Sequence, residues 1–329
     1  MNRPIASQSD EKGFFEALIE DGRPALLVTA VALLASGAFA VFLSVRREFL
    51  PHDIEYLGMT ADQLCQMAQC NVVSFMFHDR MAFGGSLIAV AILYLWLLAV
   101  PLRAGERWAW WAFTTSGLVG FGSFLTYLGH GYLDTWHGVA TLALLPIFII
   151  GLYRSFGLAK VARTGWLRTH EARAGSKLVR YGRIGLLLTG CGMMLAGAVI
   201  MFLGSTDVFV EEDLEFMGVT RELLDQINPR LVPVIAHDRA GLGGGLATAG
   251  LLVTVSSWFA PPRRAFHQAT ILAGIAGFGF AVGTHFYEGY TNPVHLAPAL
   301  AGVALFLLSV CAEIIGTSRH PSGGPIADS

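Results

Sequence analysis

Charge is what this sequence has least of. Only 14% of its 329 residues are Asp, Glu, Lys or Arg, 54% are hydrophobic, and the mean hydropathy is +0.56. A water-soluble domain carries about 25% charged residues, so the deficit points to lipid as the solvent for much of the chain. The net charge of −2 supplies no basic surface, and no nucleic-acid partner is expected. Period-2 alternation is missing, which disfavours a β-barrel. Also missing are a GxxxxGK[ST] loop, a Rossmann fingerprint, a GxSxG elbow, an HExxH pair and a CxxCH haem attachment. Nucleotide, hydrolase and c-type haem signatures therefore drop out.

What is present is a series of charge-free runs. Eight stretches, near 24–45, 81–102, 108–128, 137–153, 184–204, 240–260, 268–285 and 294–312, approach the length of a membrane crossing, which takes about 20 apolar residues at about 1.5 Å each. The run from Pro24 to Val45 is too long for a signal h-region and reads as a retained helix. The expected fold class is an all-α integral membrane protein with about eight transmembrane helices. Basic residues gather in three connections: Arg103 with Arg107, the stretch from Arg154 to Arg183, and Arg263 with Arg264. With eight spans all three lie on one side, which the positive-inside rule makes cytoplasmic. The expectation is a multi-pass protein of the cell membrane with both termini cytoplasmic; Arg46 and Arg47, on the outer side, run against the rule.

The chain also repeats itself. LPHDIEYLGMT at 50–60 parallels VEEDLEFMGVT at 210–220, with Asp53/Asp213, Glu55/Glu215, Gly58/Gly218 and Thr60/Thr220 each 160 apart. HDRMAFGG at 78–85 parallels HDRAGLGG at 237–244, and Gly131, Tyr132 and His137 parallel Gly289, Tyr290 and His295. Chance likeness between apolar helices would repeat Leu and Ala rather than His, Asp and Arg. The expected organisation is a cytoplasmic segment at 1–23, a four-helix repeat at 24–155, a basic cytoplasmic linker at 156–182, a second four-helix repeat at 183–316 and a tail at 317–329. An even number of spans per unit gives both copies the same orientation, related by a pseudo-twofold axis along the membrane normal.

The repeated polar residues carry the functional signal. His78-Asp79-Arg80 and His237-Asp238-Arg239 are placed at the start of each unit's second span, and His130, Asp134 and His137, like His285, Glu288 and His295, near the turn before the fourth. All fall at the outer surface. His78 with His137 and His237 with His295 form the expected pairs, with His130 and His285 nearby. Asp53, Glu55, Asp213 and Glu215 are weaker ligand candidates. Neutral imidazole is the commonest metal ligand and nearby carboxylates orient it. The set suits zinc, iron, copper or manganese, and bis-His haem stays open. The alternative is a capped helix end, where His and Asp satisfy loose N–H groups. Arg80 and Arg239 are expected to make structural ion pairs with Asp79/Asp238 or Asp53/Asp213, beside Gly84, Gly85, Gly243 and Gly244, which let another helix approach. The segments 53–66 and 213–226 read as short lid helices, with Thr60 and Thr220 as N-caps. Cys65 and Cys70 can close a disulfide in an oxidising compartment, while Cys191 and Cys311 pack inside spans. Three function classes follow: a membrane oxidoreductase component or metal-handling protein with an outward-facing His/acid site, a transporter with its path between the repeats, and a structural or assembly subunit with other membrane subunits as partners.

Overall fold

In hydrocarbon every backbone N–H and C=O must be satisfied within the segment, and for single apolar runs the helix does this. The computed structural model describes residues 21–129, 131–132, 135–160 and 176–319, and every regular element among them is helical. In chain order these are α1 (Arg23–Arg46), α2 (Pro51–Leu57), α3 (Ala61–Leu97), α4 (Arg107–Ser123), α5 (Thr135–Lys160), α6 (Lys177–Ser205), α7 (Glu211–Met217), α8 (Arg221–Ile227), α9 (Leu231–Phe259), α10 (Arg264–Glu288) and α11 (Pro293–Arg319). His130, Asp134, segments 1–20 and 320–329, and linker residues 161–175 lie outside the described residues.

Among the described residues seven helices are long and apolar enough to cross a membrane: α1, α3, α5, α6, α9, α10 and α11. The expectation was eight. The difference is α4, which has 17 residues before it tightens into a six-residue 3-10 segment, Phe124–Gly129. The Trp108 ring stacks on Phe259 near the end of α9, 5.9 Å between centroids, and Phe124 lies 5.8 Å from the His137 ring.

Local chemistry explains the element boundaries. Thr60 caps α3 in a reciprocal box with Gln63 (3.2 and 2.8 Å), and Thr220 caps α8. Asp53 and Asp213 accept from the Leu50 and Val210 amides at the starts of α2 and α7 (3.3 and 2.9 Å), and Gly58 and Gly218 end those helices at φ 72° and 67°. The first lid segment therefore does not run to residue 66: α2 stops at Leu57 and α3 starts at Ala61. In the second half the matching stretch is broken into α8 and α9 around Asn228-Pro229, since proline lacks the N–H that a continuous helix needs.

One expectation is corrected here. The His-Asp-Arg triplets do not open their helices. α3 begins at Ala61 and α9 at Leu231, so His78 lies about five turns inside and His237 nearly two. Counting charge-free residues puts the start too late, because the charges are accommodated inside the bundle. For His78, Asp79, His237 and Asp238 this removes the helix-capping alternative.

α3 and α9 form the centre, each burying 61% of its apolar stretch against 17–33% for the other five spans. α1 packs on α3 and α6 on α9, while α4 packs on α9 and α10 on α3. The third long helix of each half thus leans on the central helix of the other. Glycine permits the tight contacts: a Cβ on Gly84 would sit 2.8 Å from the Gly37 carbonyl oxygen, and one on Gly243 2.6 Å from that of Gly197. Two apolar clusters result. One holds Phe75, Phe77, Phe209 and Tyr290, the other Leu93, Leu97, Phe113 and Leu252. The triplets lie between them along α3 and α9.

Candidate metal centre

A charged side chain between two apolar layers is costly unless paired, and the triplets are paired across the halves. Arg80 holds Asp53 at 2.6 Å, as expected from the sequence, and Asp238 at 2.7 Å, which belongs to the other half. Arg239 holds Asp213 at 2.6 Å and Asp79 at 3.4 Å. Neither arginine pairs with the aspartate beside it in the chain, since successive helix residues point about 100° apart. Two tyrosines complete the network: Tyr132 donates to Asp53 Oδ1 (2.5 Å) and Tyr290 to Asp213 Oδ1 (2.7 Å). Burial pushes the Asp53 carboxyl up, but Arg80, its hydrogen bond and that from Tyr132 outweigh this and hold it below the usual carboxylate range. Burial and Asp213 together raise the Tyr290 phenol, which keeps it a donor. Formally, four carboxylates face two guanidiniums, leaving two negative charges in excess.

The histidines cross over as well, which corrects the expected pairing within each copy. His78 meets His285 and His295, and one ligand atom from each lies within 4.8 Å of the others. Ring centroids are 4.3 Å apart for His78–His285, 5.2 Å for His285–His295 and 6.2 Å for His78–His295. His237 instead meets His137, with Nδ1 of His137 2.9 Å from Nε2 of His237. The cause is the exchange of α4 and α10 between the halves.

Hydrogen-bond partners fix the tautomers of two of the three histidines. His78 Nδ1 lies 3.0 Å from Asp79 Oδ1, and His285 Nδ1 lies 3.0 Å from the Tyr290 carbonyl oxygen. A carboxylate and a carbonyl only accept, so both Nδ1 atoms carry hydrogen. In the neutral rings both Nε2 atoms then present lone pairs, and these face each other at 3.3 Å. The carboxylate–histidine arrangement at His78 is the usual outer support of a metal ligand. His78 and His285 are buried and His295 is half-buried. The Tyr290 ring stacks on His295 at 4.3 Å, and Phe216 of α7 stacks on Tyr290 at 4.5 Å.

The remaining candidates divide clearly. Glu55 and Glu215 are exposed, and Asp53 and Asp213 are engaged by arginine and tyrosine, so none of the four joins the histidine group. Sequence reasoning gave no role to Tyr132 and Tyr290, although their repetition was a signal. It also missed two ion pairs to buried glutamates. Arg47 reaches Glu288 (2.7 Å) and Ser74 (2.8 Å), and Arg46 pairs at the surface with Glu48 (2.9 Å). At the opposite end Arg183 pairs with the fully buried Glu313, with His267 3.6 Å away. Cys65 and Cys70 are disulfide-bonded, while Cys191 and Cys311 are exposed on the protein surface rather than packed within it. No protein-family model, curated protein or solved structure matches the chain.

Proposed function

We propose that this polytopic membrane protein binds one transition-metal ion per chain at His78, His285 and His295, as a metal-handling protein or the metal-bearing component of a membrane oxidoreductase. The observation that carries the reading is the meeting of two Nε2 lone pairs at 3.3 Å. Four ligands at about 2.0–2.1 Å in a tetrahedron stand roughly 3.3–3.4 Å from one another. A proton would join two of these nitrogens; a third imidazole converging on them favours a metal. A divalent ion also offsets the formal charge excess of the neighbouring acids. Three imidazole nitrogens suit zinc, copper or iron. Haem suits the site less well, because two axial nitrogens stand about 4 Å apart, twice a bond of about 2.0 Å. The His137–His237 pair, at 2.9 Å, is a direct hydrogen bond in this reading, so the duplicated sites have diverged.

The architecture proposed around the site is a parallel duplication with eight crossings. The recurring Tyr–Asp–Arg–Asp contacts support the duplication. For α4, 17 residues of helix and six of 3-10 span about 25 Å and about 12 Å, enough to cross. Eight crossings return both termini to the basic, cytoplasmic side. The Cys65–Cys70 disulfide lies on the same outer stretch of α3 as the histidine site, which agrees with an oxidising outer compartment.

The test is elemental analysis with an optical spectrum of the full chain purified in detergent. One metal per chain, lost in His78→Ala and His285→Ala but kept in His137→Ala, supports the proposal. A haem spectrum, or no metal after reconstitution with zinc, copper and iron, overturns it.

A further inference from the structure

The three-histidine site is built from α3, α10 and α11, yet one side chain from none of these helices reaches toward two of its ligands. We infer that Arg239, on α9, is a positioning residue of the metal centre that ties its ligands to the lid helix α7; the inference rests on the metal reading above. Through Nε it meets Asp79 Oδ2 at 3.4 Å, and Asp79 Oδ1 holds His78 Nδ1 at 3.0 Å. Through NH2 it meets Asp213 Oδ2 at 2.6 Å, and Asp213 Oδ1 accepts from Tyr290, whose ring lies on His295. Two of the three ligands are therefore two and three contacts from the same guanidinium, by separate routes.

The third arm explains the link to the lid. NH1 donates to the Val208 carbonyl at 2.6 Å. Val208 has φ 67°, in the left-handed region that a β-branched residue avoids. It enters α7, which Gly218 closes at φ 67°, and Phe216 of α7 covers Tyr290. Arg239 thus holds the strained entry of the lid, the acid in its first turn and the acid behind a metal ligand at once. A planar fork with donors on three separate nitrogens does this; an ammonium's three donors radiate from one atom and do not span the three partners.

The test titrates the metal-stripped, detergent-purified full chain with Co(II), reading affinity and visible ligand-field bands. Arg239→Gln and Asp79→Asn are each expected to weaken Co(II) about 10- to 100-fold and to shift the bands. Arg239→Lys keeps the charge and is expected to weaken binding about tenfold, because the fork is lost. Tyr132→Phe, a change of similar size beside the other histidine pair, leaves both readouts as in the parent. Should Arg239→Gln not fold, Asp79→Asn and Arg239→Lys decide. Affinity within twofold of the parent and unchanged bands in the folded variants overturn the inference while the metal reading stands. A parent that binds no Co(II) overturns both.

Discussion

Replacing Arg80 by methionine tests the crossed ion pairs directly. The side chains of Asp53 and Asp238 are 2% and 8% exposed, and Arg80 binds them at 2.6 and 2.7 Å. Methionine keeps an apolar stem near the Phe49 ring, over which the guanidinium lies at 5.4 Å, but leaves two buried carboxylates without their cation. Removing one partner of a buried pair costs about 3–5 kcal/mol; the Tyr132 and Leu50 bonds to Asp53 place the expected loss at pH 7 within that range. The pH dependence has a definite sign. In the parent, Asp53 has a lowered pKa, so its contribution is present above the unfolded carboxylate value of about 3.9 and is lost as pH falls through the lower folded value. Without Arg80, burial acts on Asp53 with less opposition, and the variant recovers stability by taking up a proton as pH falls. Reversible denaturant unfolding in mixed micelles at pH 7 and pH 4 should show the gap between parent and variant narrowing. A loss under about 1 kcal/mol at pH 7, or a gap that does not narrow, would refute the reasoning.

Other consequences are simpler to measure. Gly197→Ala and Gly243→Ala put a Cβ 2.5 and 2.6 Å from facing backbone and should each cost about 1–3 kcal/mol. Gly192→Ala, with nothing within 4 Å, should be neutral or stabilise by up to about 1 kcal/mol through helix propensity; thermal melts in detergent compare them, and equal melting shifts would contradict the packing. Cys65 and Cys70 should resist thiol labelling until reductant is added, whereas Cys191 and Cys311 react with a membrane-permeant reagent at once. Cys65→Ser should lower stability by about 2 kcal/mol or less, as suits so short a loop; four thiols labelling together without reductant would contradict the bond.

The helical class, the Thr60 cap, the glycine contacts and the Asp53–Arg80 and Asp213–Arg239 pairs were legible because each depends on local pattern or on matching positions in the chain. Which half meets which was not. A repeat offset says that His78 corresponds to His237; it does not say that α10 will lie on α3. That choice is made by packing, and it redirects every histidine contact. The position of the triplets was misread for a related reason. Arg80 and Arg239 looked like the ends of spans because charge is expensive in lipid, yet acids from the opposite half neutralise them inside the bundle. The mismatch of His285 with Tyr127, and of Glu288 with His130, at equivalent positions also disguised how differently the two sites are built. Glu288 serves Arg47, while His285 joins the three-histidine group.

X-ray absorption at the metal edge of the purified, reconstituted chain tests the central claim most directly. The account predicts a first shell containing three imidazole nitrogens at about 2.0–2.1 Å, reduced to two in His295→Ala and unchanged in His137→Ala. A shell without imidazole, or one that His137→Ala alters and His295→Ala does not, would contradict it.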